Sequence, residues 1–280
     1  MSSSLQRELE LAQHSAIEAG KIILGYYDTD YQVQLKAGRE PVTIADQTSS
    51  NYIIQAIQHK FPRDAIVSEE SALPAGLARE DRIWVIDPMD GTKEFINHNG
   101  EFSVMIGLVR EGNPVLGVVY QPVSGLMCWG VNGEGAYMVQ GQTRKRLQVS
   151  TESALENLCV AASRSHLTPE LEHIYHQLGF HHIIQSGSLG LKVALIARQL
   201  SHIYLNLSNL TSAWDTCAPE VILKEAGGRI SNLFGSRLTY TFSHVRNRKG
   251  VLATNGPVHD YMVEQIQMLL TQRAQEELSV

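Results

Sequence analysis

Long apolar runs are missing from these 280 residues. No stretch approaches the roughly 18 residues that a membrane-spanning helix needs, so no such helix is expected. The opening MSSSLQRELELAQ lacks the apolar segment of a secretory signal, and none is expected there either. Cysteine is scarce: Cys128, Cys159 and Cys217 lie far apart with no CxxC spacing, and a chain of this length has core enough to need no disulfides. They read as reduced, mostly buried thiols of a cytoplasmic protein. Basic excess is also absent. With 23 Lys and Arg against 29 Asp and Glu the net charge is −6, which argues against nucleic acid or an anionic membrane as partner. It leaves room for a small anionic substrate, because a bound metal reverses the charge locally. There is no GxSxG elbow and no GxxxxGKS loop, which removes the commonest serine-hydrolase and nucleotide-kinase chemistries. Repeats, low-complexity tracts and Pro/Gly/Ser linkers are absent too. What remains is ordinary globular composition, 43% hydrophobic and 19% charged, long enough for one large domain or two small ones.

Along the chain, Leu5, Leu9, Ala12, Ala16, Ala19 and Ile23 step by threes and fours, which predicts a helix over 5–24. Residues 31–36 read as a strand, 36–43 as a loop, and 46–60 as a helix ended by Pro62. Short strands follow at 65–67 and 83–86. Hairpins are then expected around Gly112-Asn113 and around the NGEG of residues 132–135, in a meander reaching about residue 150. The second half changes rhythm: strands at 159–162, 182–185, 202–207, 229–233 and 251–253 alternate with helices at 169–178, 189–200, 216–226 and 258–270. The expected class is α+β, a mixed α/β half packed on a more antiparallel half. The two halves, 1–150 and 151–280, would form one compact unit.

The stretch IWVIDPMDGTKEF, residues 83–95, carries the most chemistry. A buried strand delivers Asp87 and Asp90 three residues apart, with Pro88 holding Asp87 extended. Gly91 lets backbone approach a ligand, and a helix starting near Thr92 offers N–H groups to a phosphate. Carboxylates about 4 Å apart repel by roughly 4 kcal/mol at an effective dielectric near 20, and a hard divalent cation is the usual offset. Other acids stand at comparable junctions: Glu69 and Glu70 after a short strand, Asp215 before a helix, Asp46 before another. Each has an ordinary alternative. Asp90-Gly91 reads equally as a turn, Glu69-Glu70 as a solvated turn, and Asp46 and Asp215 as helix caps. Four such junctions together are harder to dismiss than one. Gly133-Glu134-Gly135 reads as a hairpin turn, Arg144-Lys145-Arg146 as a solvated strand end, and His181-His182 lacks ligand spacing.

The DPMDGT of residues 87–92 resembles the first signature of the inositol monophosphatase family, metal-dependent phosphatases. Trp214-Asp215, Ala218-Pro219 and the EAGG of residues 225–228 resemble its second signature. The SEES of residues 68–71 and the TIAD of residues 43–46 precede them in the family's order, and the likeness runs from about residue 10 to residue 265. Within the family the chain is most similar to the 3′(2′),5′-bisphosphate nucleotidases, through DGTKEFI, NGEFSV (99–104), ASRSH (162–166) and the SGS of 186–188 with Lys192 following. Two stretches depart from that pattern: LGL between Ser188 and Lys192, and SNLTSA before Trp214, where many nucleotidases carry GPT.

The resemblance implies a layered αβαβα sandwich. It implies Glu69, Asp87, Asp90 and Asp215 as metal ligands, joined by the Met89 carbonyl, and two or three Mg²⁺ ions. Asp46 and Thr92 would orient the nucleophilic water, and Met89, Asp90, Gly91 and Thr92 would surround the scissile phosphate. Lys93, Arg164, Ser188 and Lys192 would line the substrate side, with Lys93, Arg164 and Lys192 as candidate partners of a second phosphate. The implied activity is hydrolysis of the 3′-phosphate of adenosine 3′,5′-bisphosphate to AMP by a lithium-sensitive, cytoplasmic monomer or homodimer. The alternative is an inositol monophosphate or sugar-phosphate phosphatase with the same metal core. A non-catalytic phospho-ligand sensor is disfavoured, because every implied ligand and both water-orienting residues are present.

Overall fold

A computed structural model describes residues 5–29, 33–35, 41–77 and 80–278. Helix α1 (Gln6–Tyr27) turns Ala12, Ser15, Ala16, Ala19 and Ile23 inward, the face read from the sequence. Strands β1 (Val33–Leu35) and β2 (Pro41–Thr43) pair antiparallel. The expected strand over 31–36 therefore holds at its centre, while its ends and residues 36–40 lie outside the described residues. The expected loop gives way to β2, which opens on Pro41, a strand-start position that a proline tolerates. Helix α2 (Ile44–Lys60) begins two residues earlier than expected, because Thr43 is the N-cap and Asp46 sits one turn in.

Seven strands then run in chain order through one sheet: β3 (Ala65–Ser68), β4 (Arg82–Asp90), β5 (Ser103–Arg110), β6 (Asn113–Gln121), β7 (Leu126–Val131), β8 (Gly135–Gln140) and β9 (Thr143–Arg146). Only β3 and β4 pair parallel; the rest is the expected meander. A five-residue helix, α3 (Thr92–Ile96), leaves the end of β4. Between Arg146 and Cys159 the chain crosses to a second sheet. It contains β10 (Cys159–Ser163), β11 (His182–Ser186), β12 (Ile203–Asn206), β13 (Arg229–Ser231) and β14 (Val251–Thr254), in the order β11-β10-β12-β14-β13. Four helices accompany it: α4 (Pro169–Gln177), α5 (Leu189–Ala197), α6 (Ala213–Glu225) and α7 (His259–Leu278).

Side-chain alternation builds the layers. On β5, Val104, Ile106 and Leu108 face one way and pack with Ala12, Ala16, Ile53 and Ile57 of α1 and α2. Met105 faces the other way, into a core shared with Leu191, Val193 and Ile222 of α5 and α6 and with Tyr204 and Ala253 of the second sheet. Beyond that sheet, Val160, Leu205 and Leu252 meet Leu171 and Ile174 of α4 and Met262 and Ile266 of α7. The result is the expected α+β fold, an αβαβα sandwich. Cys128 and Cys217 are buried free thiols and Cys159 is half-buried. No helix among the described residues is long and apolar enough to cross a membrane.

One packing feature places the site. Gly107 of β5 pairs with Gly117 of β6, which pairs with Gly130 of β7. This row of glycines forms a furrow under α6. A Cβ on Gly117 would lie 2.2 Å from the Ala218 carbonyl oxygen, one on Gly107 2.5 Å from Cys217 Sγ, and one on Gly130 3.0 Å from Ile222 Cα. The backbone of α6 can lie this close to the sheet only because three side chains are missing.

Candidate functional site

Asp87 and Asp90 belong to one strand. The sequence predicts a strand ending at Ile86 with a turn after it; instead β4 runs on to Asp90. In a regular strand, residues three apart point to opposite faces. Here Asp87 pairs with Met105 but Asp90 with Ser103, so β4 carries one extra residue between them. That bulge restores a common side for the two carboxylates. Asp87 is buried, and its Oδ1 accepts the Met89 N–H at 3.0 Å. Gly91 then takes φ +102° as the N-cap of α3. A Cβ there would also sit 3.1 Å from the Glu101 carbonyl, so turn geometry and packing both demand glycine.

The third carboxylate comes from the other half of the chain. Helix α6 starts at Ala213, three residues before the expected start, since Ser212 is its N-cap. The Ser212 N–H donates to Asp215 Oδ2 at 2.5 Å. Asp87, Asp90 and Asp215 each offer a carboxylate oxygen within 4.8 Å of the others. Glu69 follows β3, held beside β4 by its N–H on the Ile86 carbonyl at 3.1 Å. It is not one of that triad, yet its charge reaches it. Burial pushes the Asp87 carboxyl well above its ordinary range, and the negative charges of Glu69, Asp90 and Asp215 push it further. A hard divalent cation fits this all-oxygen, charge-rich donor set.

Asp46 stands next to the triad with a double role. Its Oδ2 accepts the Thr43 N–H and hydroxyl, both at 2.7 Å, completing a capping box. Its Oδ1 accepts the Thr92 hydroxyl at 3.0 Å; the Met89 carbonyl is a second, longer acceptor for that hydroxyl at 3.4 Å. Burial raises the Asp46 pKa, against the lowering effect of the Thr43 and Thr92 hydrogen bonds. Asp46 and Asp215 are thus capping residues and members of the acidic site at once.

The substrate-side residues divide. Lys93 Nζ lies 2.9 Å from His166 Nε2. Arg164 grips Glu101 through two nitrogens, at 2.6 and 2.7 Å, and donates to the Gln185 carbonyl at 3.1 Å. Arg164 also lines a 510 Å³ cavity with Leu167, Glu172, His176, Ile183 and Gln185, which none of the acids above enters. Ser188 is fully buried and donates to Asp90 Oδ2 at 2.5 Å. Lys192 is placed differently from the expectation of a phosphate partner. It is 2% exposed, with its ammonium on the carbonyls of Gly187 (2.5 Å) and Ser186 (3.3 Å). Burial lowers its pKa to about 8 despite the acids nearby.

Several contributors escaped the sequence reading. Glu94, buried on α3, accepts a hydrogen bond from Ser165 and ties the two halves together. Glu225 of the EAGG accepts the N–H groups of Gly133 and Gly135, at 2.9 and 2.8 Å, and so fixes the β7–β8 hairpin against the end of α6. The glycine furrow was readable only as three scattered glycines.

The sequence profile described as the inositol monophosphatase family matches residues 4–273. A relative from Salmonella typhimurium, named 3′(2′),5′-bisphosphate nucleotidase CysQ, is 38% identical over 83% of this chain and 94% of its own. A solved structure described as CysQ from Bacteroides thetaiotaomicron, a bacterial member of the inositol monophosphatase family, is 31% identical. It superposes with a TM-score of 0.76 over 91% of this chain and 99% of that one. An inositol monophosphatase from Anabaena is 28% identical, with a TM-score of 0.76 over 94% and 96% of the two chains. Profile, relatives and fold agree with the site: the chain belongs to the inositol monophosphatase family.

Proposed function

We propose that this protein is a Mg²⁺-dependent phosphomonoesterase that hydrolyses the 3′-phosphate of adenosine 3′,5′-bisphosphate, giving AMP and phosphate. The observation that carries the reading is the convergence of Asp87, Asp90 and Asp215 beside the Thr92–Asp46 hydrogen bond. The similarity to nucleotidases over more than four-fifths of the chain supports the substrate. Asp87, Asp90 and Asp215, with Glu69 and the Met89 carbonyl, would hold the metal. When bound, Mg²⁺ supplies a Lewis acid for the phosphate and makes a water acidic enough to act as nucleophile.

The residues of the chain do the rest. The Thr92 hydroxyl spends its proton on Asp46, which leaves its oxygen lone pairs to orient a water and accept that water's proton. Asp46, pushed up by burial, is better matched to take the relayed proton than an exposed aspartate would be. The N–H groups of Gly91 and Thr92 would meet the phosphate oxygens where α3 begins. Lys93 and Arg164 are the candidate positive groups for a second phosphate. The reduced thiols are in keeping with a cytoplasmic enzyme. A second reading, an inositol monophosphate or sugar-phosphate phosphatase, draws on the LGL of residues 189–191 and the SNLTSA of residues 208–213, which depart from the nucleotidase pattern. The test is phosphate release with Mg²⁺ from adenosine 3′,5′-bisphosphate, inositol 1-phosphate and fructose 1,6-bisphosphate. A higher kcat/KM for the nucleotide supports the first reading, and a higher value for either competitor replaces it with the second.

A further inference from the structure

We infer that Ser188 and the first turn of α5 clamp Asp90 as a one-oxygen ligand, and that this clamp sets the preference of the site for Mg²⁺ over Ca²⁺. The inference rests on the reading of the acidic triad as a divalent-cation site. Its basis is the direction of one hydroxyl proton. Ser188 Oγ has three neighbours: Asp90 Oδ2 at 2.5 Å, Ser103 Oγ at 2.8 Å and the Leu191 N–H at 3.2 Å. A hydroxyl has one proton and two lone pairs. The Leu191 N–H takes one lone pair. The carboxylate is the strongest acceptor within reach and takes the proton. Ser103 must then donate to the remaining lone pair. Ser103 and Ser188 are both fully buried, so every capacity of the Ser188 hydroxyl is spent within the protein.

The same Asp90 oxygen accepts the Gly190 N–H at 3.1 Å. That contact needs α5 close to β5, and Gly190 allows it: a Cβ there would lie 2.6 Å from Met105 Sδ and 3.1 Å from Ser103 Oγ. Lys192 braces the segment from behind, its buried ammonium bonded to the carbonyls of Ser186 and Gly187. On the other side Asp90 is paired in register with Ser103. Asp90 is therefore held from two directions, and Oδ2 already has two donors. One oxygen remains for a cation. Mg²⁺ demands a small octahedral shell, whereas Ca²⁺ takes six to eight oxygens and accepts both oxygens of a carboxylate. A carboxylate with one oxygen withheld suits the smaller ion. Ser188 and Lys192, expected from the sequence to touch substrate, act in this account as positioning residues for Asp90.

Calorimetric titration of the metal-free protein with MgCl₂ and with CaCl₂ tests this without reference to turnover. Ser188→Ala should weaken Mg²⁺ binding roughly tenfold, as is usual when a partner that orients a ligand is lost. Its Ca²⁺ binding should hold or tighten, so the ratio of the two dissociation constants moves toward Ca²⁺. Ser188→Thr keeps the hydroxyl and should keep the wild-type ratio. Ser103→Ala removes the donor behind Ser188 without touching Asp90, and should shift the ratio the same way by less; it carries the test if Ser188→Ala does not fold. A folded Ser188→Ala protein, or failing that a folded Ser103→Ala protein, with the wild-type ratio overturns the clamp. A wild-type protein that binds neither cation overturns the metal reading beneath it.

Discussion

Replacing Gly117 with alanine adds one methyl group in the middle of a strand that carries none of the site's acids, yet it should disable the site. The new Cβ would stand 2.2 Å from the Ala218 carbonyl oxygen, 2.7 Å from its Cα and 2.8 Å from its carbonyl carbon. These are backbone atoms of α6, so no side-chain rotation relieves the overlap. Ordinary contact requires the helix to lift by about 1 Å. Asp215 lies less than one turn before Ala218 on the same helix and must move with it. Overpacking of this kind costs about 1–3 kcal/mol. Against it stands about 0.4–1 kcal/mol gained because alanine restricts the unfolded chain more than glycine does. The balance is a net loss of about 1–2 kcal/mol, a fall of a few degrees in Tm for a protein of this size. The functional loss should be larger: a displacement of about 1 Å at a catalytic constellation costs on the order of 10²-fold in rate. The assay is Mg²⁺-titrated phosphate release beside thermal denaturation. Gly130→Ala should be milder, since its nearest atom is 3.0 Å away. Gly25→Ala, on the exposed side of α1 with nothing within 4 Å, should leave activity alone and raise Tm slightly. If Gly117→Ala retains wild-type turnover and Tm, the furrow does not position Asp215.

Asp90→Asn should fold, because it removes a charge from a crowded acidic cluster, but lose most activity and bind Mg²⁺ poorly in calorimetry; near-normal turnover would reduce Asp90 to a turn residue. Thr92→Ala should be slow while largely keeping Mg²⁺ affinity, since the Thr92 hydroxyl bonds chiefly to Asp46, reaches the Met89 carbonyl only at 3.4 Å and bonds to no carboxylate of the triad; a parallel loss of affinity would contradict the proposed role in orienting water. Arg164→Ala should lower kcat/KM for adenosine 3′,5′-bisphosphate by about 1.5–3 kcal/mol and barely affect a small monophosphate; equal effects on both would misplace the second-phosphate contact. Lys192→Ala is no equivalent probe, because it removes a buried brace. The metal-free protein should lose stability as pH rises. The folded Asp87 and Asp46 carboxyls hold protons that the unfolded chain releases near its ordinary pKa of about 4, so the penalty grows from there through the raised folded values. The Tm gained on adding Mg²⁺ should therefore be larger near pH 8 than near pH 5, and a gain independent of pH would count against the charge argument.

Asp46 and Asp215 show why local sequence supports two readings at once. In both capping boxes here the third helical residue is an aspartate, which puts a carboxylate at the helix start. In the proposed mechanism the same two carboxylates serve the site, Asp215 toward the metal and Asp46 toward Thr92. The cap fixes one oxygen, as the Thr43 and Ser212 N–H groups do here, and the acid is then rigid before any ligand arrives.

Much of this protein was settled by local sequence. The 3–4 spacing of α1, the hairpin glycines of the meander and the alternation of strands and helices after residue 150 are short-range signals, and the elements formed where they pointed. The two signatures named the acids, because a strand ending in DPMDGT and a helix opening on WD each carry their carboxylates wherever the fold takes them. Distances between elements were another matter. That Asp87 and Asp90 share a side depends on a bulge defined only by pairing with β5. That Lys192 faces inward depends on where α5 packs. That Asp215 reaches the other two depends on Gly107, Gly117 and Gly130 falling into register on three strands. Each glycine taken alone is an ordinary strand residue. The sheet lines them up, and only then does the absence of three side chains become a seat for a helix.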